Sequence, residues 1–171
     1  MSDSGLENIF NRLSQSLAED KLIQSTTDDL RKQLMVDRIA LYYFYRQWSG
    51  RVTFESLSSD NYSILGSTGP DDCFNGEYAA LYLNGRISAI ANIETAPIAE
   101  CHREFLKGIQ VKANLVVPVL TSKGLWGLLV AHHCQSAVDW SQQQVEVMWE
   151  GSKTLALSPT ISDNRASDRG F

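Results

Sequence analysis

Histidine and cysteine are both scarce in this sequence, three of each among 171 residues. An odd number of cysteines without close Cys-x-x-Cys pairs offers no disulfide framework, so each thiol is core filler, metal ligand or reactive group. Long apolar runs are missing as well. No stretch approaches the ~18–20 residues that a bilayer-crossing helix needs. Met1 to Gly5 is polar and lacks the basic-then-apolar order of a signal peptide, so a cytoplasmic chain is expected. Positive charge is in deficit, 15 Lys and Arg against 20 Asp and Glu, for a net charge of -5. With no basic stripe to offset that balance, nucleic acid is a poor partner. No Gly-rich phosphate loop and no nucleophile elbow occurs, which removes the support for nucleotide hydrolysis and acyl transfer.

What is present suits one domain with terminal extensions. Leu6, Ile9, Phe10, Leu13 and Leu17 recur at three- and four-residue spacing, one face of a helix. Ile23, Thr27, Leu30 and Leu34 mark a second helix. Ile39 to Tyr45 is rich in aromatic and branched residues and reads as a strand. Ser49-Gly50 is expected to turn the chain into another strand, Val52 to Leu57. Ser58 to Asp72 is a long polar loop, a kind of segment that is often functional. Glu77 to Asn84 reads as a helix stopped by Gly85, and Ile87 to Ile93 as a short strand. Pro97 to Gly108 reads as a short helix bearing Cys101 and His102. Two strong strands follow, Ala113 to Leu120 and Leu125 to His132, joined by a turn over 121–124. A last helix carries Val145, Met148, Ser152 and Leu155, with Ser141 as its N-cap. The tail from Ser158 is polar and expected to lack order. This order of elements predicts an α+β domain: an antiparallel sheet, flanking helices, and a pocket under the inserted segment.

The candidate chemistry is concentrated. Every histidine and cysteine belongs to one of three groups: Cys73 in Asp71-Asp72-Cys73-Phe74, the pair Cys101-His102, and the run His132-His133-Cys134. A buried thiol is ordinarily a small hydrophobe, and Cys134 at a strand end keeps that reading. His132 and His133 alternate across a strand and face opposite sides. A zinc site is disfavoured because the close pairs are adjacent in sequence, a poor chelating geometry. A Cys101–His132–Asp71 hydrolytic arrangement has no oxyanion segment beside it. A thiol redox sensor using Cys73 and Cys101 stays open.

Taken together, Asp37-Arg38 before the Tyr-rich strand, Asp71-Asp72-Cys73-Phe74, Tyr82 to Arg86, Glu100-Cys101-His102, Ala113 to Val119 and Gly127 to His132 resemble a cyanobacteriochrome GAF domain. The Asp-x-Cys-Phe segment resembles the signature of that family's dual-cysteine subfamily. The resemblance implies a GAF fold over residues 20–157, with an N-terminal helical extension over 1–19 and a tail over 158–171. It implies a photoreceptor rather than an enzyme, with a linear tetrapyrrole as cofactor: phycocyanobilin, phycoviolobilin, or the first isomerised in place to the second.

The roles follow from that resemblance. Cys101 would form the permanent thioether to ring A, a thiolate being suited to addition at a conjugated carbon. His102 would pack against the pyrrole rings, and His132 would stand near ring D. Cys73 would add reversibly to the central bridge carbon and shorten the conjugation. The adduct state would absorb blue or violet light and the released state green to orange light. Asp71 would hydrogen-bond the pyrrole nitrogens. Tyr78 and Tyr82 would line the pocket. Lys112, with Arg86 and Arg103 beside it as further candidates, would meet a propionate as a point charge. The terminal helices would serve a homodimer or a downstream output domain. No resident metal is implied. The rival reading is a GAF module for a small ligand such as a cyclic nucleotide.

Overall fold

The computed structural model describes residues 3–46, 49–69 and 81–163. The two N-terminal helices are α1 (Asp3–Glu19) and α2 (Lys21–Leu34). Asp20 separates them as the N-cap of α2, its Oδ1 accepting from the Leu22 N–H at 2.9 Å and the Ile23 N–H at 3.2 Å. All four residues of the predicted α2 stripe, Ile23, Thr27, Leu30 and Leu34, are buried.

Five antiparallel strands follow: β1 (Arg38–Arg46), β2 (Ser49–Leu57), β3 (Ser88–Ile90), β4 (Ala113–Thr121) and β5 (Gly124–His133). Their spatial order is β2-β1-β5-β4-β3. The helix α3 (Glu100–Gly108) lies in the insert between β3 and β4. α4 (Gln142–Ala156) and the short α5 (Pro159–Ser162) close the chain.

One face of the sheet carries the main core. Ile39, Leu41 and Tyr43 from β1, Leu115, Val117 and Val119 from β4, and Trp126, Leu129 and Ala131 from β5 pack with α1, α2 and α4. Two-residue alternation supplies that face from β1, from β4 and from Leu129 and Ala131 of β5, and the register irregularity between β4 and β5 at Val119/Leu120 brings Trp126 to the same face. Residues on the other face, among them Tyr42, Phe44, Leu128 and Val130, look toward the insert. The sheet-with-helices α+β architecture is the one expected.

Four local readings differ. Ser49 and Gly50 already pair with Arg46 and Phe44 as the start of β2, because the sheet extends to the hairpin end; residues 47–48 lie outside the described residues. β3 covers only Ser88–Ile90 of the expected 87–93. Asn92 ends it by turning the chain, its Oδ1 accepting from the Glu94 N–H at 3.0 Å and its carbonyl from the Ala96 N–H at 3.0 Å. α3 starts at Glu100, since Ala99 is extended. The tail opens with helix α5, which seats Ile161 in the core with no exposed surface. Ser158 Oγ and Thr160 Oγ1 both donate to Asp20 Oδ2, which holds that turn against the α2 cap.

Residues 81–83 are helical, and Gly85 follows at φ 87°. The Arg86 N–H donates to the Leu81 carbonyl and the Gly85 N–H to the Tyr82 carbonyl, a left-handed helix stop for which glycine is suited.

Candidate functional site

The insert and the sheet enclose a cavity with about 720 Å³ of non-atom space, its open mouth included. α3 forms one wall. His102, Phe105, Leu106 and Ile109 line the cavity, a spacing that puts all four on one helix face. Cys101 lies one turn before Phe105, at the exposed edge of that face, and its sulfur is in a disulfide, where the cysteine count and spacing suggested none. The sheet forms the floor with Tyr42, Phe44, Asn114, Leu128, Val130 and His132. The segment from Ile64 to Gly69 forms the remaining wall. Tyr42 Oη accepts from the Gly69 N–H at 3.0 Å and anchors that segment.

The lining is mostly apolar with a few polar atoms set into it. His132 is 4% exposed, and burial first, then the adjacent Arg38 charge, pushes its pKa well below the usual imidazole value. Its Nδ1 accepts from Arg38 Nε at 3.0 Å. His102 is also lowered, by burial and then by the charge of Arg86. Both imidazoles are therefore neutral at pH 7. Asn114 is 4% exposed and its Oδ1 has no partner among the described residues. A buried acceptor without a donor is costly, and here it lines the cavity, where an occupant with an N–H group would satisfy it.

The site thus gathers His102 and His132 into one cavity, with Cys101 at the edge of its helical wall. Tyr82 is buried beside the cavity, in the apolar cluster with Phe44, Val116, Leu125 and Leu128. Lys112 is exposed and does not line the cavity; its backbone N–H donates to the His133 carbonyl at 2.7 Å. Arg103 is tied to the carbonyls of Ile93 and Ala96, so it braces the 93–98 turn. Asp71, Asp72, Cys73 and Tyr78 lie outside the described residues.

His133 turns away from the cavity and packs on Trp140, ring centroids 5.2 Å apart. Cys134 is a free, buried thiol whose pKa burial raises. Its N–H donates to Asp37 Oδ2 at 2.8 Å. Burial works to raise Asp37, yet the bonds from Cys134, Gln135 and Ser58 together hold its carboxyl below the usual range. Among the described residues no group of three or more His, Cys, Asp or Glu is placed to hold a metal ion. Also among them, no helix is long and apolar enough to cross a membrane.

Sequence reading missed Asn114 and Arg38 as site residues. The signal for both was present: an amide inside an otherwise apolar strand, and an arginine opening another.

A half-enclosed, mostly apolar cavity under an insert, on the open face of a five-stranded antiparallel sheet, has the shape of a small-molecule pocket. The chain belongs to the GAF domain family, whose model matches residues 19–157. It is 47% identical over 163 residues to an uncharacterized protein of Picosynechococcus sp. PCC 7002, covering 95% of this chain and 100% of that one. It is 28% identical over 176 residues to the circadian input-output histidine kinase CikA of Synechocystis sp. PCC 6803, covering 90% of this chain and 24% of the kinase. It therefore spans the whole of the first relative and about a quarter of the second.

Among solved structures it is similar to the blue-light absorbing form of the Thermosynechococcus elongatus PixJ GAF domain. That match has TM-score 0.69 and 31% identity, and covers 85% of this chain and 86% of the other. It is also similar to the phycocyanobilin-bound GAF domain of a cyanobacterial phytochrome. There the TM-score is 0.73 and the identity 28%, covering 91% of this chain and 94% of the other.

Proposed function

We propose that this GAF domain is a photoreceptor module, not an enzyme, that holds a linear tetrapyrrole covalently through Cys101. In this reading it switches between two coloured states by a second, reversible bond from Cys73. The observation that carries the reading is the helical wall: Cys101 at the edge of the face that presents His102, Phe105, Leu106 and Ile109 to an apolar cavity. The likeness to bilin-bound and blue-absorbing GAF domains supports it.

When bound, the tetrapyrrole supplies a conjugated chromophore with a double bond that isomerises on absorbing light. The protein supplies the rest. With its disulfide first reduced by an external thiol reductant, Cys101 would add its sulfur to an exocyclic double bond of that group, one C–S bond forming as the thiol proton passes to the neighbouring carbon. Phe105, Leu106, Ile109 and Leu128 exclude water, while neutral His102 and His132 and the open Asn114 Oδ1 fix orientation. Cys73, as a free thiol, would add its sulfur to the central bridge carbon as its proton goes to a ring nitrogen, and reversal would return both, with no net oxidation or reduction. Asp71 favours the protonated nitrogens. Phycocyanobilin or phycoviolobilin fits the role, with the adduct absorbing blue or violet and the released form green to orange.

The sensory unit spans 20–157, and the terminal helices pass the signal to an output domain or a second copy. An output domain is the more direct parallel to the kinase relative, of which this chain matches only a part.

The test is the absorption spectrum of protein co-expressed with bilin-synthesis enzymes, recorded after blue and then green light. A reversible jump between the two bands is expected. Cys101→Ala should lose stable attachment. Cys73→Ala should keep the bilin and lose the short-wavelength band. A colourless wild-type protein would refute the reading, and a full blue shift in Cys73→Ala would refute the role of Cys73.

A further inference from the structure

Arg38 is fully buried at the first position of β1. Among the described residues no carboxylate lies within ion-pair distance of it. Its guanidinium instead makes three hydrogen bonds, to the sheet floor of the cavity, to the residue after α3 and to the turn that precedes the 64–69 wall. Nε–H donates to His132 Nδ1 at 3.0 Å, Nη1 to the Tyr62 carbonyl at 2.6 Å, and Nη2 to the Ile109 carbonyl at 2.7 Å. Tyr62 ends the 3-10 turn Asp60–Tyr62, from which the chain runs on through Ile64 to Gly69 along the cavity. Ile109 follows α3 as the last lining residue of that wall.

The register makes this arrangement a row. Arg38 of β1 pairs with His132 of β5, and His132 pairs with Asn114 of β4. A charged donor, an imidazole and an amide thus stand side by side across three adjacent strands. A guanidinium carries only donors and stays protonated. The nitrogen facing it must therefore offer a lone pair, so the single proton of the neutral ring sits on Nε2. A histidine is more commonly oriented by an acceptor at Nδ1, a carbonyl or carboxylate, which places the proton on Nδ1 and leaves Nε2 as the acceptor. Here the donor fixes the opposite tautomer.

We propose that Arg38 is a positioning residue that makes His132 a fixed Nε2–H donor toward the occupant of the cavity, and that ties this ring to the α3 wall and to the loop leading toward Cys73. The occupant atom that matches it is an acceptor such as a lactam carbonyl oxygen. The identity of that occupant rests on the photoreceptor reading; the tautomer and its cause do not.

The experiment is ¹⁵N–¹H long-range correlation NMR of the histidine rings in the ligand-free protein at pH 7.5. Wild type is expected to show His132 as a single Nε2–H tautomer. Arg38→Met, which removes the donor, should lose that single state and show both tautomers in exchange. Arg38→Lys, which keeps a charged donor, should restore it. An Nδ1–H tautomer in wild type overturns the proposal whether or not the variants fold. So does a folded Arg38→Met protein with an unchanged Nε2–H ring. A protein that stays colourless with bilin yet shows the expected tautomers refutes the photoreceptor reading alone. A coloured protein with Nδ1–H His132 refutes this inference alone.

Discussion

The buried, neutral state of His132 makes the stability of the ligand-free protein depend on pH in a defined window. In the unfolded chain this ring binds a proton below its usual value of 6.5; in the folded chain, burial and the Arg38 charge hold its pKa well below that. Between the two values the unfolded state carries the extra proton, so acid favours unfolding. The contribution is fully present above pH 6.5 and drains as pH falls toward the depressed folded value. Each pH unit in that window costs about 1.4 kcal/mol, a substantial part of the ~5–15 kcal/mol total of a typical domain. The comparison is with His132→Asn, which keeps an acceptor for Arg38 but has no titrating ring. His102, His133 and the carboxylates are common to both proteins, so the difference isolates this ring. Urea unfolding at half-unit steps from pH 7.5 to 5.0 should show the wild-type curve falling relative to the variant below pH 6.5, with a slope approaching that figure. Parallel curves down to pH 5.0, or a wild type that gains stability in acid, would refute the buried neutral ring.

Three structural perturbations have equally direct readings. A Cβ at Gly127 would stand 2.1 Å from the Tyr42 carbonyl oxygen, a backbone atom that cannot swing away, so Gly127→Ala should lower the urea midpoint by the equivalent of ~1–3 kcal/mol or more. An unchanged midpoint would contradict the close approach of β1 and β5. Ser141 caps α4 in a reciprocal box with Gln144, and Ser141→Ala should cost about 1 kcal/mol in the same assay. Asp20 serves both the α2 cap and the Ser158–Thr160 turn, so Asp20→Ala should cost ~1–2 kcal/mol and speed amide exchange at Thr160 and Ile161. Burial raises Asp20, but its hydrogen bonds together bring the carboxyl below 3.8, so this contribution is present above that pH and lost as acid protonates the folded form.

What the sequence determined by itself was whatever short-range periodicity and local chemistry could carry. The three- and four-residue spacing of Ile23, Thr27, Leu30 and Leu34 specified a helix and its buried face. Ser141 with Gln144, and Gly85 after residues 81–83, fixed helix ends through bonds made within a few residues. The branched runs of β1, β4 and β5 specified strands, and the spacing of His102, Phe105, Leu106 and Ile109 already placed one face on the α3 helix. Only the tertiary structure decided where these faces meet. Arg38 reads as a solvated charge until strand register sets it beside His132 and beneath Ile109, contacts between residues far apart in the chain. Asn114 becomes a cavity acceptor by the same register. The Pro159–Ser162 turn is too short and polar to hold itself, and Asp20, far away in the chain, holds it by accepting from the hydroxyls of its cap Ser158 and of Thr160. Periodicity encodes which side of an element is apolar; it holds no information about which element lies opposite, and the site is built from that second fact.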